Sequence, residues 1–171
     1  MLDIACGGGD NINALKNWAL RNQIDIQFFG LDLKEVCVDY TKARLGNEVT
    51  VYKMDFKDLE NQDMQFDICT AALFAHHLFD EDLEYLLHIM YRKSNYGYVI
   101  NDLHRNLIAY YSIKWLTYWF SKSYLVKNDA CLSVARGFKK QELQTALQKV
   151  EVGKHQIYWR WAFRWLVVGF N

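Results

Sequence analysis

Most of what this chain lacks narrows its function. No two cysteines form a CxxC pair: Cys6, Cys37, Cys69 and Cys131 lie far apart. That spacing excludes a zinc ribbon or a disulfide framework, so no metal is expected, and it leaves reduced thiols in a cytoplasmic protein. A signal peptide is excluded because Asp3 would interrupt its apolar region. The longest apolar stretch, Leu107 to Phe120, contains Lys114 and is too short to span a bilayer. No stable membrane insertion is therefore expected. Excess charge is missing too, with 20 Lys and Arg against 20 Asp and Glu. That balance removes the electrostatic case for nucleic acid or an anionic membrane surface. There is no repeat, low-complexity tract or linker, so the 171 residues read as one domain. Proline is absent altogether, and no structural meaning attaches to that.

What is present is a chain 51% apolar and 16% aromatic, enough for a substantial core. Met1 to Ala5 reads as a buried strand running into Cys6-Gly7-Gly8-Gly9-Asp10. A helix follows with Ile12, Leu15 and Ala19 on one face and Asp10 or Asn11 as its cap. Ile26 to Leu31 is a strand ending at Asp32, and Lys34 to Leu45 a helix stopped by Gly46. Val49 to Lys53 and Phe66 to Ala71 are further strands. The helix Asp80 to Lys93 carries Leu83, Leu86, Leu87, Met90 and Tyr91 as an apolar stripe, capped by Asp80. Tyr96 to Asn101 is the fifth strand. Such alternation predicts an α/β fold with a mostly parallel sheet covered by helices on both faces.

Beyond residue 105 the pattern changes. Residues 106–122 read as a helix that seeks burial around most of its circumference. A loop comes next, then a helix at Lys139 to Lys149. Two strands, from about Glu151 to Tyr158 and from Ala162 to Phe170, are close enough to pair as an antiparallel hairpin. Trp159, Trp161 and Trp165 alternate there with Phe163, which predicts aromatic sheet contacts.

In an open parallel sheet the ligand lies at the carboxyl ends of strands. Leu2-Asp3-Ile4-Ala5-Cys6-Gly7-Gly8-Gly9 ends at such a place. A dinucleotide fingerprint would be GxGxxG, but Ile12 occupies the third glycine position, which weakens a pyrophosphate reading and an NAD-dependent oxidoreductase with it. The acidic residue inside the strand, followed by the glycine turn, resembles the nucleotide loop of class I S-adenosylmethionine-dependent methyltransferases. Ala5 stands where that motif often has its first glycine.

The resemblance implies a Rossmann-like, seven-stranded sheet, S-adenosylmethionine as cofactor, and a site assembled from Asp3, Ala5, Gly7 and Gly9. Asp32 is placed to accept from both ribose hydroxyls, its alternative role being a helix-entry carboxylate. Leu33 packs on the adenine. Asp55, with Phe56, matches the position that meets the adenine amino group, and can otherwise be a plain loop residue. Ala71 lies along the methionine portion. His77 aligns with a position that often carries histidine in ubiquinone- and menaquinone-type methyltransferases. Both His77 and its neighbour His76 also admit a purely structural reading. At the mouth of the fifth strand, His104 and Arg105 are candidate acceptor contacts, with a salt bridge to Asp102 or Asp129 as the alternative for Arg105.

On this reading residues 1–100 hold the cofactor. Residues 101–171 face a small-molecule acceptor, aromatic, phenolic or hydrophobic, with O-methylation favoured over C-methylation. Tyr110, Tyr111, Trp115, Tyr118 and Trp119 on the 106–122 helix form core, a substrate lid or a membrane contact, in that order of expectation, with an oligomer interface as a further alternative. The family's helices ahead of the first strand are absent from the chain as given. It is expected either to be a fragment or to have its site covered by a second copy, as a homodimer. A cofactor-binding module without turnover is the alternative to an enzyme.

Overall fold

A computed structural model describes residues 1–150 and 153–171. The first hundred residues alternate as β1 (Leu2–Ile4), α1 (Asp10–Arg21), β2 (Phe28–Asp32), α2 (Glu35–Leu45), β3 (Val49–Lys53), β4 (Phe66–Ala72), α3 (Asp80–Lys93) and β5 (Ser94–Leu103). Then come α4 (Leu107–Phe120), α5 (Tyr124–Arg136), α6 (Lys140–Lys149), β6 (Lys154–Arg160) and β7 (Arg164–Phe170). The described strands form one seven-stranded sheet, ordered β3-β2-β1-β4-β5-β7-β6. Strands β1 to β5 run parallel, and β7 is antiparallel to both β5 and β6. This is the α/β sheet with an antiparallel C-terminal hairpin that the sequence predicts.

Two apolar clusters hold the layers together. One joins Leu2, Ile4 and Ile100 of the sheet to Leu86, Leu87 and Met90 of α3 and Leu147 of α6. The other sets Ile12 and Ala19 of α1 and Val38 and Leu45 of α2 against Phe28, Val49 and Val51. Gly30 permits the close approach of α1, because a Cβ there would sit 3.0 Å from Ile12 Cδ1. No helix among the described residues is long and apolar enough to cross a membrane.

Helix starts differ from expectation by one residue, for electrostatic and steric reasons. Neither Asp10 nor Asn11 caps α1; Gly9 does, at φ 74°, where an added Cβ would lie 2.8 Å from Thr41 Cγ2. Asp80 is the first residue of α3 rather than its cap, a position held by Phe79. There Asp80, Glu81 and Asp82 face the positive end of the helix, and Arg92 and Lys93 its negative end.

The larger corrections fall after β5. Asn106 caps α4, its Oδ1 accepting from the N–H groups of Ile108 and Ala109 at 2.8 and 3.3 Å. The segment predicted as a loop after Lys122 is the helix α5, capped by Ser123. Only Val134 of α5 is buried, while Tyr124, Leu125, Val126 and Leu132 are exposed. Nor does α4 bury its circumference: Ala109 alone is buried, and core is not the fate of its rings. Hydrophobic pattern reports what a helix carries, whereas burial needs a second layer. Here the main partner of α4 is α5 alone.

The hairpin strand predicted from Glu151 begins outside the described residues, and β6 is described from Lys154. Trp161 and Phe163 sit in the turn between β6 and β7, which takes them out of the alternating strand pattern. Trp161 is 88% exposed. Trp165 is buried and donates its Nε1–H to the Phe138 carbonyl at 3.0 Å.

Candidate active site

From β1 the chain order proceeds to β2 on one side of the sheet, while β4 and β5 lie on the other. Such a reversal opens a crevice at the carboxyl ends of the strands. The crevice here is a cavity of about 510 Å³, within the range of roughly 300–1,000 Å³ usual for small-molecule sites. Its wall brings together Ala5, Gly7, Asp32, Leu33, Asp55, Phe56 and His77. Asp3, Gly9, Ala71, His104 and Arg105 are not part of that wall.

The glycine loop is held from three directions. Ala5 takes φ 54°, a left-handed conformation that a side chain resists at a cost of about 1–2 kcal/mol. A glycine would take it freely, which gives physical content to the departure at this position. Gly7, at φ 54°, has open space where a Cβ would project. Its N–H donates to Asp32 Oδ2 at 2.9 Å, and its carbonyl accepts from Thr41 Oγ1 at 2.8 Å. Arg44 on α2 donates to the Gly8 carbonyl at 3.0 Å.

Asp32, buried at the end of β2, also accepts from the Lys34 N–H through Oδ1 at 2.9 Å. It thus ties the glycine loop to the entry of α2. Each of its oxygens still has a lone pair to offer. Asp55 caps the 3-10 turn Phe56–Asn61 by accepting the Lys57 N–H at 3.0 Å, on the opposite wall.

Asp3 lies behind the loop, 3% exposed, with Thr70 Oγ1 at 2.7 Å and Asn11 Nδ2 at 2.8 Å both donating to Oδ1. Burial pushes its carboxyl up to about 6, against the pull of those two hydrogen bonds. Asp3 therefore braces β1 against β4 and α1. Ala71 is likewise buried within β4, and Gly9 opens α1.

His77 belongs to a 3-10 turn, Ala75–His77, that follows β4. Asp102 of β5 anchors that turn: its Oδ2 accepts the His76 N–H at 3.2 Å, and its Oδ1 lies 2.7 Å from His76 Nδ1. Both members of this pair are buried, and His76 Nε2 has no hydrogen-bond partner among the described residues. The His76 ring lies 4.1 Å from that of His77. Partial burial, then the neighbouring His76, lower the His77 pKa below its ordinary 6.5, which favours the neutral imidazole.

His104 packs at 4.8 Å from Trp165 with its Nδ1 buried, and its pKa is lowered by burial. Arg105 pairs with Glu142 of α6, not with Asp102 or Asp129. Glu142 also accepts the Lys139 N–H at 2.8 Å, so the pair locks the mouth of β5 to the start of α6. Thr41, Arg44, Thr70 and Asp102 escape sequence reading, since each meets its site partner across 26 to 67 residues.

These features place the chain among known proteins. Over 99% of its length it superposes on 74% of the plantazolicin methyltransferase BpumL, solved with SAH, at TM-score 0.75 and 15% identity. It also covers 73% of magnesium protoporphyrin IX methyltransferase from Synechocystis PCC 6803, solved with SAH, at TM-score 0.65 and 13% identity. The fold is that of class I S-adenosylmethionine-dependent methyltransferases. A family model described as methyltransferase domain matches residues 1–97, and the chain belongs to that family. No curated protein matches it in sequence.

Proposed function

We propose that the chain methylates a hydroxyl of a small aromatic or hydrophobic acceptor, using S-adenosylmethionine. The observation that carries this is one cavity shared by the braced glycine loop, Asp32, Asp55 and His77. The residues fit the cofactor. Gly7 leaves room for close approach to backbone, Asp32 has lone pairs suited to a vicinal diol, and Leu33 and Phe56 offer apolar walls. Asp55 keeps an oxygen for an amino group beyond its turn-capping bond. When bound, S-adenosylmethionine supplies a methyl group activated by its sulfonium charge.

The protein aligns the acceptor oxygen and removes its proton. We assign that proton to the His77 imidazole, neutral at working pH. Asp102 and His76 hold the turn and are positioning residues. His104 and Arg105 we assign to the outer acceptor wall, with Arg105 bordering a cleft beside Tyr110 and Tyr111. The four free cysteines support a reducing, cytoplasmic setting.

Calorimetric titration with S-adenosylhomocysteine tests the site. Micromolar binding that Asp32→Ala weakens at least tenfold supports it; equal affinity of the two proteins removes Asp32. Binding with no turnover on a panel of phenols and quinols would favour the non-catalytic module.

A further inference from the structure

We infer that the α4–α5 hairpin is a docking surface for an anionic lipid bilayer, holding the protein at a membrane without crossing it. Helix α4 runs 14 residues out from the mouth of β5 before the chain turns at residues 121–123 into α5. The tip carries Trp119, Phe120, Tyr124 and Leu125, all exposed, Phe120 at 84%. Lys122 stands exposed within the turn, and Lys127 lies over the Tyr118 ring at 5.1 Å. Apolar rings in water beside flexible cations match the chemistry of a membrane interface, where rings enter the headgroup boundary and amines meet lipid phosphates.

Charge decides between the occupants. The chain is neutral, yet from residue 106 to 140 six Lys and Arg stand against one acid, Asp129, while Arg105 is already paired with Glu142. An anionic surface complements that excess. A second copy docking the same face would set these cations against each other. The exposed Trp161 emerges at the same end of the sheet, where the Phe163 carbonyl accepts the His104 N–H at 3.0 Å beside the start of α4. The cofactor cavity also opens at the carboxyl ends of the strands. A docked molecule would therefore present its reaction cavity toward the lipid side, which suits a lipophilic acceptor. The surface itself does not depend on the methyl-transfer reading.

Co-sedimentation of the full chain with vesicles tests this, using phosphatidylcholine alone or mixed equally with phosphatidylglycerol. The expected result is binding to the anionic vesicles only, weakened by added salt. Lys122→Glu with Lys127→Glu should weaken binding about tenfold or more, and Phe120→Ser should reduce it separately. Unchanged thermal melting by circular dichroism shows that these substitutions leave the fold intact. Absence of binding to anionic vesicles at low salt overturns the inference. So does equal binding to neutral vesicles, or a sedimentation dimer that Phe120→Ser dissociates.

Discussion

The cofactor end of the sheet and the α4–α5 hairpin use the same kinds of residue to opposite ends. Around the glycine loop buried polar groups are tied to one another: Asp3 to Thr70 and Asn11, Asp32 to Gly7 and Lys34, Thr41 to the loop carbonyl. The apolar side chains beneath are buried in two clusters. On the hairpin the apolar side chains face outward, and its two helices lean chiefly on each other. Burial with full hydrogen bonding makes a rigid cradle, because opening it exposes both apolar area and unpaired polar groups. An outward apolar face adds little to stability and becomes useful only against another surface. The contrast separates what stabilises the fold from what equips it to meet something else.

The comparison breaks if the two regions respond alike to truncation. Leu86→Ala, in the fully buried stripe of α3, should lower stability by about 2–5 kcal/mol. Trp119→Ala, 66% exposed, should change it by less than about 0.5 kcal/mol. Urea denaturation midpoints measure both, and a large loss at Trp119 would mean that the hairpin is part of the core.

Asp3 sharpens the picture of the cradle. Its folded-state pKa of about 6 lies above the ordinary 3.8, so the folded chain holds this proton more tightly than the unfolded one. The stability it contributes is present below about pH 4 and is lost as pH rises through about 6, a swing of roughly 3 kcal/mol at most. Asp3→Asn should flatten that part of the stability–pH curve, and denaturation at several pH values reads it directly.

For the proposed reaction, kcat/KM should rise with pH to a plateau, with its midpoint below 6.5 as the lowered His77 pKa requires. His77→Gln should abolish that limb and slow methyl transfer about 100-fold, while leaving S-adenosylhomocysteine affinity nearly unchanged. A pH profile identical to that of the wild type would remove His77 as the base. A small gain in stability is expected of Ala5→Gly. It relieves the left-handed backbone at φ 54° and should raise the melting temperature by a few degrees, equivalent to about 1 kcal/mol at most.

Alternation of strands and helices in the first hundred residues was legible because burial imposes a period on sequence: two for strands, near four for helices. The stripe on α3 and the run Asp3 to Gly9 are local patterns of that kind, and they sufficed for the sheet and the family; of the expected site residues, Ala5, Gly7, Asp32, Leu33, Asp55, Phe56 and His77 line the cavity. Three things were decided only in the tertiary structure. Asp102 meets His76 across 26 residues and Thr41 meets the glycine loop across 34, distances over which periodicity carries no signal. Ala5 takes a left-handed backbone, φ 54°, between β1 and a glycine loop tied to Asp32, which no local pattern announces. Helix α4 has the composition of a core helix, but a helix is buried only when another element lies opposite its apolar face. Composition could establish that this segment is apolar, and the arrangement of the other elements left it facing outward.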